Sequence, residues 1–266
     1  MRTLIVIPAR YQSSRFPGKP LTLLKGATGV AKSLVQRAWE AAKAVPGDNH
    51  VVVATDDQRI ADATEGFGGE VVFTSEHCRN GTERVAEAFD QLGSDAEVVV
   101  NLQGDAPLTP PGFVAALVNA LQGEKDAAVA TPVLRCDPAS LSGFQEDRRA
   151  GRVGGTTAVF DQQGRAMYFS KEVLPYTGRS FDPSEVTPVF HHVGVYAFRP
   201  ESLRAYASWD PGELETWEGL EQLRFMENGT PVFCVEVAAE GRAFWEVNNP
   251  VDVERVEKIL QEQGYE

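Results

Sequence analysis

The chain has 266 residues, 42% of them hydrophobic and 24% charged, which is ample for the core of one α/β domain or of one domain with a small appendage. Its 25 Lys and Arg against 38 Asp and Glu give a formal net charge of −13. That balance disfavours nucleic acid and anionic lipid surfaces as partners. If the substrate is a small anion, the cations that hold it must be concentrated locally. Three widely spaced cysteines, Cys78, Cys136 and Cys234, form no CxxC pair, which argues against a zinc site or a disulfide framework and fits a reducing compartment. The apolar run Leu4–Ile7 is shorter than the roughly 7–15 residues of a signal-peptide core. No stretch approaches the roughly 20 apolar residues of a membrane span, so the cytoplasm is the expected location.

Five short runs are apolar throughout: Leu4–Ile7, Val51–Ala54, Val71–Phe73, Val98–Val100 and Ala127–Ala130. Such runs suit strands buried on both faces, as in a parallel sheet. Helical stripes lie between them, one on Val85, Ala88, Phe89 and Leu92, another on Phe113, Ala116, Leu117, Ala120 and Leu121. Strand and helix alternating to about residue 133 predict a doubly wound, mostly parallel α/β layer, Rossmann-like in kind. Residues 135–155 read as a loop or excursion. Ala158–Phe160 and Met167–Ser170 read as a hairpin, Val193–Phe198 as a strand, and 214–227 and 251–263 as helices. The expectation is a single domain over 1–266, with a subsidiary lobe or dimer arm at roughly 135–200.

Three segments carry candidate chemistry. The first strand runs into Ala9-Arg10-Tyr11-Gln12-Ser13-Ser14-Arg15-Phe16-Pro17-Gly18-Lys19-Pro20. A loop beyond a strand's carboxyl end, with two Arg, one Lys, Ser and Gly, suits a polyphosphate. It is not a Walker A loop, because Pro20 follows Lys19 and no Gly lies upstream. The alternative is an ordinary basic surface loop. In the second segment, Val98–Val100 leads to Gln103-Gly104-Asp105, where Asp105 at a strand tip could bridge Mg²⁺ to phosphates; the plainer reading is a turn. The third, Asn80-Gly81-Thr82-Glu83, reads as a helix N-cap, a place that also offers backbone N–H groups to a polar ligand. His77, His191 and His192 lack metal spacing. Glu213, Glu215, Glu218 and Glu221 read as a solvated helix face, and Trp209 and Trp217 as packing residues. Asp56-Asp57 reads as a helix start.

Taken in order, these segments resemble the bacterial CMP-Kdo synthetases, the 3-deoxy-manno-octulosonate cytidylyltransferases. The first loop is similar to that family's IPARxxSxRxPGKPL. Residues 80–87, NGTERVAE, resemble its SGTERLAE, and 102–108, LQGDAPL, its QGDEPL. Residues 167–176, MYFSKEVLPY, 192–196, HVGVY, and the stretch 214–224 match further blocks. The resemblance implies a nucleotidyltransferase that joins CTP to Kdo and releases pyrophosphate, with Mg²⁺ as cofactor, a homodimer as assembly, and lipopolysaccharide or capsule synthesis as destination. It places Arg10, Ser13, Arg15 and Lys19 on the triphosphate and Asn80 and Gly81 on cytosine or ribose. Gln103, Tyr196, Glu221 and Gln222 fall on the sugar, and Asp105 on the metal.

One departure concerns the metal. The family's VDTPEDLERV-like block supplies a second carboxylate, but here Asn248 stands in its place, within Val247-Asn248-Asn249-Pro250-Val251-Asp252. An amide oxygen can ligate Mg²⁺ but brings no charge. The family pattern near residues 150–157 is also missing, which leaves sugar specificity less defined than nucleotidyl transfer. The alternatives are the same reaction on an 8-amino-Kdo or sialic-acid-like sugar, a non-catalytic nucleotide-binding paralogue, and a glycosyltransferase consuming a finished nucleotide sugar.

Overall fold

The computed structural model describes residues 2–13, 16–104, 107–124, 126–239, 247 and 249–265. The chain divides into two compact units, one of Met1–Ala115 with Ala239–Glu266, the other of Ala116–Ala238.

The first unit opens on β1 (Thr3–Ala9), in which Leu4, Ile5, Val6 and Ile7 are fully buried. A single 3-10 turn at Lys19–Leu21 leads into the hairpin of β2 (Leu23–Lys25) and β3 (Ala31–Ser33), and then α1 (Leu34–Lys43). Ser33 caps α1 by accepting from the Gln36 amide at 3.3 Å. There follow β4 (Asn49–Thr55), α2 (Gln58–Gly66), β5 (Glu70–Phe73), α3 (Gly81–Leu92), β6 (Val98–Leu102) and the first residues of α4 (Pro111–Gly123), whose residues from Ala116 are counted with the second unit. The strands pair in the order β5-β4-β1-β6, all parallel, with Ile5 level with both Val51 and Val100. Each apolar run predicted here is a strand; β1, β4 and β6 are covered on both faces and so apolar on both, whereas β5 is at the sheet edge with Phe73 48% exposed.

In the second unit, β7 (Val129–Arg135) is central. It is followed by α5 (Pro138–Arg149), β8 (Thr157–Phe160), β9 (Ala166–Ser170), β10 (Phe190–His192), β11 (Val195–Phe198), α6 (Pro200–Ser208), α7 (Glu213–Glu218), α8 (Leu223–Glu227) and β12 (Val232–Glu236). β7 runs parallel to β12 and antiparallel to β10 and β11, and β10 continues the sheet to the β8–β9 hairpin. The final helix, α9 (Asp252–Gln263), belongs to the first unit.

Several expectations need correction. Residues 138–149 form a helix, with Asp137 accepting from the Ser140 amide at 2.6 Å and Pro138 in the first turn. Only Leu141 of that helix is buried, so it has almost no apolar stripe to read. The strand expected at Ala127 begins at Val129, because the Ala127 carbonyl accepts from Arg199 Nε at 2.8 Å instead of entering a ladder. The helix expected over 214–227 is two, broken where Gly219 takes a left-handed φ of 62° and its amide caps Glu215 O.

Of the acidic face expected at 213–221, Glu213 is exposed as expected, but Glu215 and Glu218 are taken up inside the unit. Glu215 is buried and makes two bonds of 2.6 Å to Arg224, which is fully buried and lies over the Tyr206 ring. Glu218 accepts from the Ser170 hydroxyl at 2.7 Å and from the Lys171 amide at 3.0 Å, tying α7 to β9. Trp217, expected to pack, is 82% exposed, whereas Trp209 packs edge-on against Phe225. Removing one member of a buried pair strands the other charge, at a cost of about 3–5 kcal/mol. Glu215→Ala should therefore lower stability by that amount in urea unfolding. Glu262→Ala, whose partner Lys258 is exposed at 3.7 Å, should leave the curve in place.

Candidate active site

The chain builds outward from β1 through β4 and β5, then returns to lay β6 on the other edge of β1. The gap between the carboxyl ends of β1 and β6 is thus the switch point at which open α/β sheets bind ligands. Three segments converge there. Pro8 and Ala9 end β1 and deliver Arg10, which is exposed. Gly81, at the start of α3, comes so near that a Cβ on it would lie 3.4 Å from Pro8 Cγ and 3.7 Å from Gln103 Nε2. A Cβ on Gly104 would lie 3.5 Å from Ile7 Cγ2 and 3.8 Å from the Pro8 carbonyl oxygen.

Polar links hold these segments. Asn80 is the predicted cap, its side-chain oxygen accepting from the Glu83 amide at 2.9 Å. Asn101 of β6 donates to the Thr82 hydroxyl at 3.3 Å, which fastens the first turn of α3 to the sheet. Arg84 is buried and donates to Asp56 at 2.6 Å and to Thr74 at 2.5 Å, beyond the ends of β4 and β5. Asp56 is thus more than part of a helix start. The sequence reading missed this brace, although an Arg on the buried stripe of a helix was a signal for it.

The basic loop is shaped by its own residues. The Ser13 hydroxyl oxygen accepts from the Phe16 amide at 3.3 Å. Gly18 has φ 72°, a left-handed conformation that glycine adopts without a Cβ penalty, and it starts the 3-10 turn that carries Lys19. Phe16 packs against a buried apolar cluster that includes Leu24, Leu34, Leu108, Val247, Val256 and Leu260. Arg15, Asp105 and Asn248 lie outside the described residues. Their chain neighbours Phe16 and Val247, and Leu108 three positions beyond Asp105, all share that one cluster. Among the described residues no group of three His, Cys, Asp or Glu could hold a metal ion.

The remaining predicted residues belong to the second unit. Tyr196, on β11, is buried and its hydroxyl donates to Gln222 Oε1 at 3.0 Å. Gln222 is 1% exposed, and its Nε2 has no hydrogen-bond partner among the described residues. Glu221, next to it, is half-buried. His192 is a structural residue, with Nε2 2.9 Å from the Thr131 hydroxyl oxygen. The same hydroxyl oxygen lies 2.9 Å from Val195 O, so His192 is held within a buried polar cluster. Burial, and after it the neighbouring His191, hold the His192 pKa down to about 3.

Comparison with known proteins adds the following. A family model described as cytidylyltransferase matches residues 4–232. A 3-deoxy-manno-octulosonate cytidylyltransferase of Maricaulis maris is 44% identical over 264 residues, 99% of this chain and 99% of that protein. The mitochondrial 3-deoxy-manno-octulosonate cytidylyltransferase of Arabidopsis thaliana is 40% identical, over 99% of this chain and 84% of that one. A solved structure of a CMP:2-keto-3-deoxy-manno-octonic acid synthetase complexed with CTP matches with a TM-score of 0.83 at 32% identity, over 99% of this chain and 100% of that one.

The buried imidazole predicts a pH dependence. Above pH 6.5 the ring is neutral folded or unfolded, and it contributes nothing to the slope. Below 6.5 the unfolded chain binds a proton that the native ring refuses down to about 3, so stability falls with pH. By pH 5 the loss from this one group amounts to about 2 kcal/mol. Urea midpoints between pH 7.5 and 5 should fall less steeply in His192→Gln than in the wild type.

Proposed function

The chain belongs to the cytidylyltransferase family, and from that premise we propose that it couples CTP to 3-deoxy-manno-octulosonate (Kdo), giving CMP-Kdo and pyrophosphate. The observation that carries the proposal is the convergence of the basic loop, the α3 N-terminus and the Gln103-Gly104 turn at the β1/β6 switch point. The Maricaulis and Arabidopsis relatives, both named for this reaction, support it. The anomeric hydroxyl oxygen of Kdo forms a bond to the α-phosphorus of CTP, and the bond from that phosphorus to the bridging oxygen of pyrophosphate breaks. The hydroxyl proton passes to solvent.

Catalysis of this kind rests on positioning and charge stabilisation. Arg10, Arg15 and Lys19 neutralise the triphosphate, with Lys19 on the departing pyrophosphate and Ser13 shaping the loop around them. The Asn80-Gly81 turn takes cytosine or ribose, and the absence of a side chain at Gly81 leaves room for it beside Pro8. Gln103 is assigned to the sugar. In the second unit, Tyr196, Glu221 and Gln222 are assigned to its hydroxyls; Gln222 Nε2, without a partner among the described residues, has a hydrogen bond to give.

A divalent metal fits the residues present. Asp105 and Asn248 would hold it, and an all-oxygen donor pair suits a hard ion such as Mg²⁺, which keeps waters and takes further ligands from phosphates. Leu108 and Val247, near the two donors in sequence, meet in one apolar cluster. The ion would supply charge neutralisation and make the sugar hydroxyl more acidic. With an amide in place of a carboxylate, its affinity should be lower than an Asp pair would give. We assign the enzyme to the cytoplasm, as a homodimer contacting through the lobe at roughly 135–200, in lipopolysaccharide or capsule synthesis. No helix among the described residues is long and apolar enough to cross a membrane.

Pyrophosphate release should require CTP, Kdo and Mg²⁺ together, and UTP should not replace CTP. Release only with an 8-amino-Kdo or a sialic acid would move the acceptor. CTP binding without release for any sugar would contradict the catalytic reading. Asp105→Asn should cut turnover by at least ~100-fold with an unchanged unfolding curve, and Lys19→Ala should raise KM for CTP more than KM for Kdo.

A further inference from the structure

Tyr11 follows Arg10, and Gly18 precedes Lys19, so these two residues stand just inside the two cations at the ends of the basic loop. They are closed on each other. The Gly18 amide donates to the Tyr11 carbonyl at 2.8 Å, and a Cβ on Gly18 would lie 3.1 Å from the Tyr11 ring. Tyr11 and Gly18 thus bring the two ends of the segment between them together. What fixes that contact to the rest of the unit comes from α2.

The Arg59 guanidinium carbon lies 3.3 Å from the centroid of the Tyr11 ring. Asp57 grips the same guanidinium from the side, accepting from Nε at 2.9 Å and from Nη2 at 2.7 Å. This fork-to-carboxylate pairing sets the plane of the guanidinium as well as its position. Asp57 is itself fixed two ways. As the N-cap of α2 its side chain accepts from the Arg59 amide at 3.0 Å, and its own amide donates to the hydroxyl of the fully buried Thr55 at 3.2 Å. A continuous chain of contacts thus runs from the end of β4 through Asp57 and Arg59 to Tyr11 and Gly18.

We propose that Arg59, aligned by Asp57, is a positioning residue that holds the two ends of the basic loop, beside Arg10 and Lys19, in place for the nucleotide by clamping Tyr11 against Gly18. The proposal rests on the reading of that loop as the triphosphate site. Arg59 is not itself a phosphate ligand here, because its charge is already matched by Asp57 and its face is spent on Tyr11. Nor does it hold the fold as a whole. Its side chain is 58% exposed, and exposed ion pairs and cation–π contacts contribute little to global stability. The effect is local, confined to where the two end cations stand.

The test separates the clamp from the functional reading. Amide hydrogen exchange on the ligand-free protein reports the Gly18 N–H directly, without substrate. Arg59→Ala and Tyr11→Ala should each speed its exchange by roughly tenfold, with Tm unchanged, while Tyr11→Phe, which keeps the ring, should behave as wild type. In the assay, Arg59→Ala and Tyr11→Ala should raise KM for CTP by about three- to tenfold, with kcat at saturating CTP and KM for Kdo retained. Unchanged Gly18 exchange in both alanine variants would overturn the clamp, whatever the kinetics. Faster exchange with unaltered CTP kinetics would uphold the clamp and overturn its role in nucleotide binding, and with it the assignment of the loop.

Discussion

A parallel sheet whose chain winds outward from its first strand, and then returns to that strand's other edge, has one place where neighbouring strands send their connections apart. In this chain it is the gap between β1 and β6. The loops that leave those strands cannot cover it, so polar backbone and side chains can stand there around a ligand. Everything assigned to the nucleotide follows from that constraint. The loop after β1 brings the cations, the turn after β6 brings Gln103 and Gly104, and α3 begins beside both. The sheet needs apolar residues on both faces to exist at all, which is why the chemistry is confined to the strand tips.

The loops are then fixed by two kinds of support. One is apolar: Phe16, Leu108 and Val247 share a cluster closed by α9, so segments near Arg15, Asp105 and Asn248 in sequence have a common floor. The other is a set of arginine braces. Arg84 ties α3 to Asp56 and Thr74, and Arg59 ties the basic loop to Asp57. Both of these cations are matched by carboxylates at close range. The second unit repeats the pattern inside its own core, where Arg224 is matched by Glu215.

What the sequence made legible follows the same physics. Strands β1, β4 and β6 of the first unit were readable because burial on both faces leaves an uninterrupted apolar run, and the α3 cap because Asn80 must satisfy a backbone donor; the short β2 and β3 carry no such run. Helix α5 was not, since with only Leu141 buried it carries no stripe. Glu215 and Glu218 looked like a solvated face because their partners, Arg224 and the β9 end, are visible only in three dimensions. In the candidate site, the cations of the basic loop stood out against a net charge of −13. The work done inside that loop by Ser13 and Tyr11 did not, because a hydroxyl that accepts from Phe16 N and a ring that receives Arg59 leave no trace in spacing.

The central claim is that CTP is held in the first unit, between the basic loop and the α3 N-terminus, and a crystal structure of the protein with CTP tests it most directly. The account predicts the triphosphate against residues 10–19, with Lys19 on its outer phosphates, and the cytidine beside Gly81. A nucleotide bound elsewhere, or a triphosphate that touches neither Arg10 nor Lys19, would contradict it.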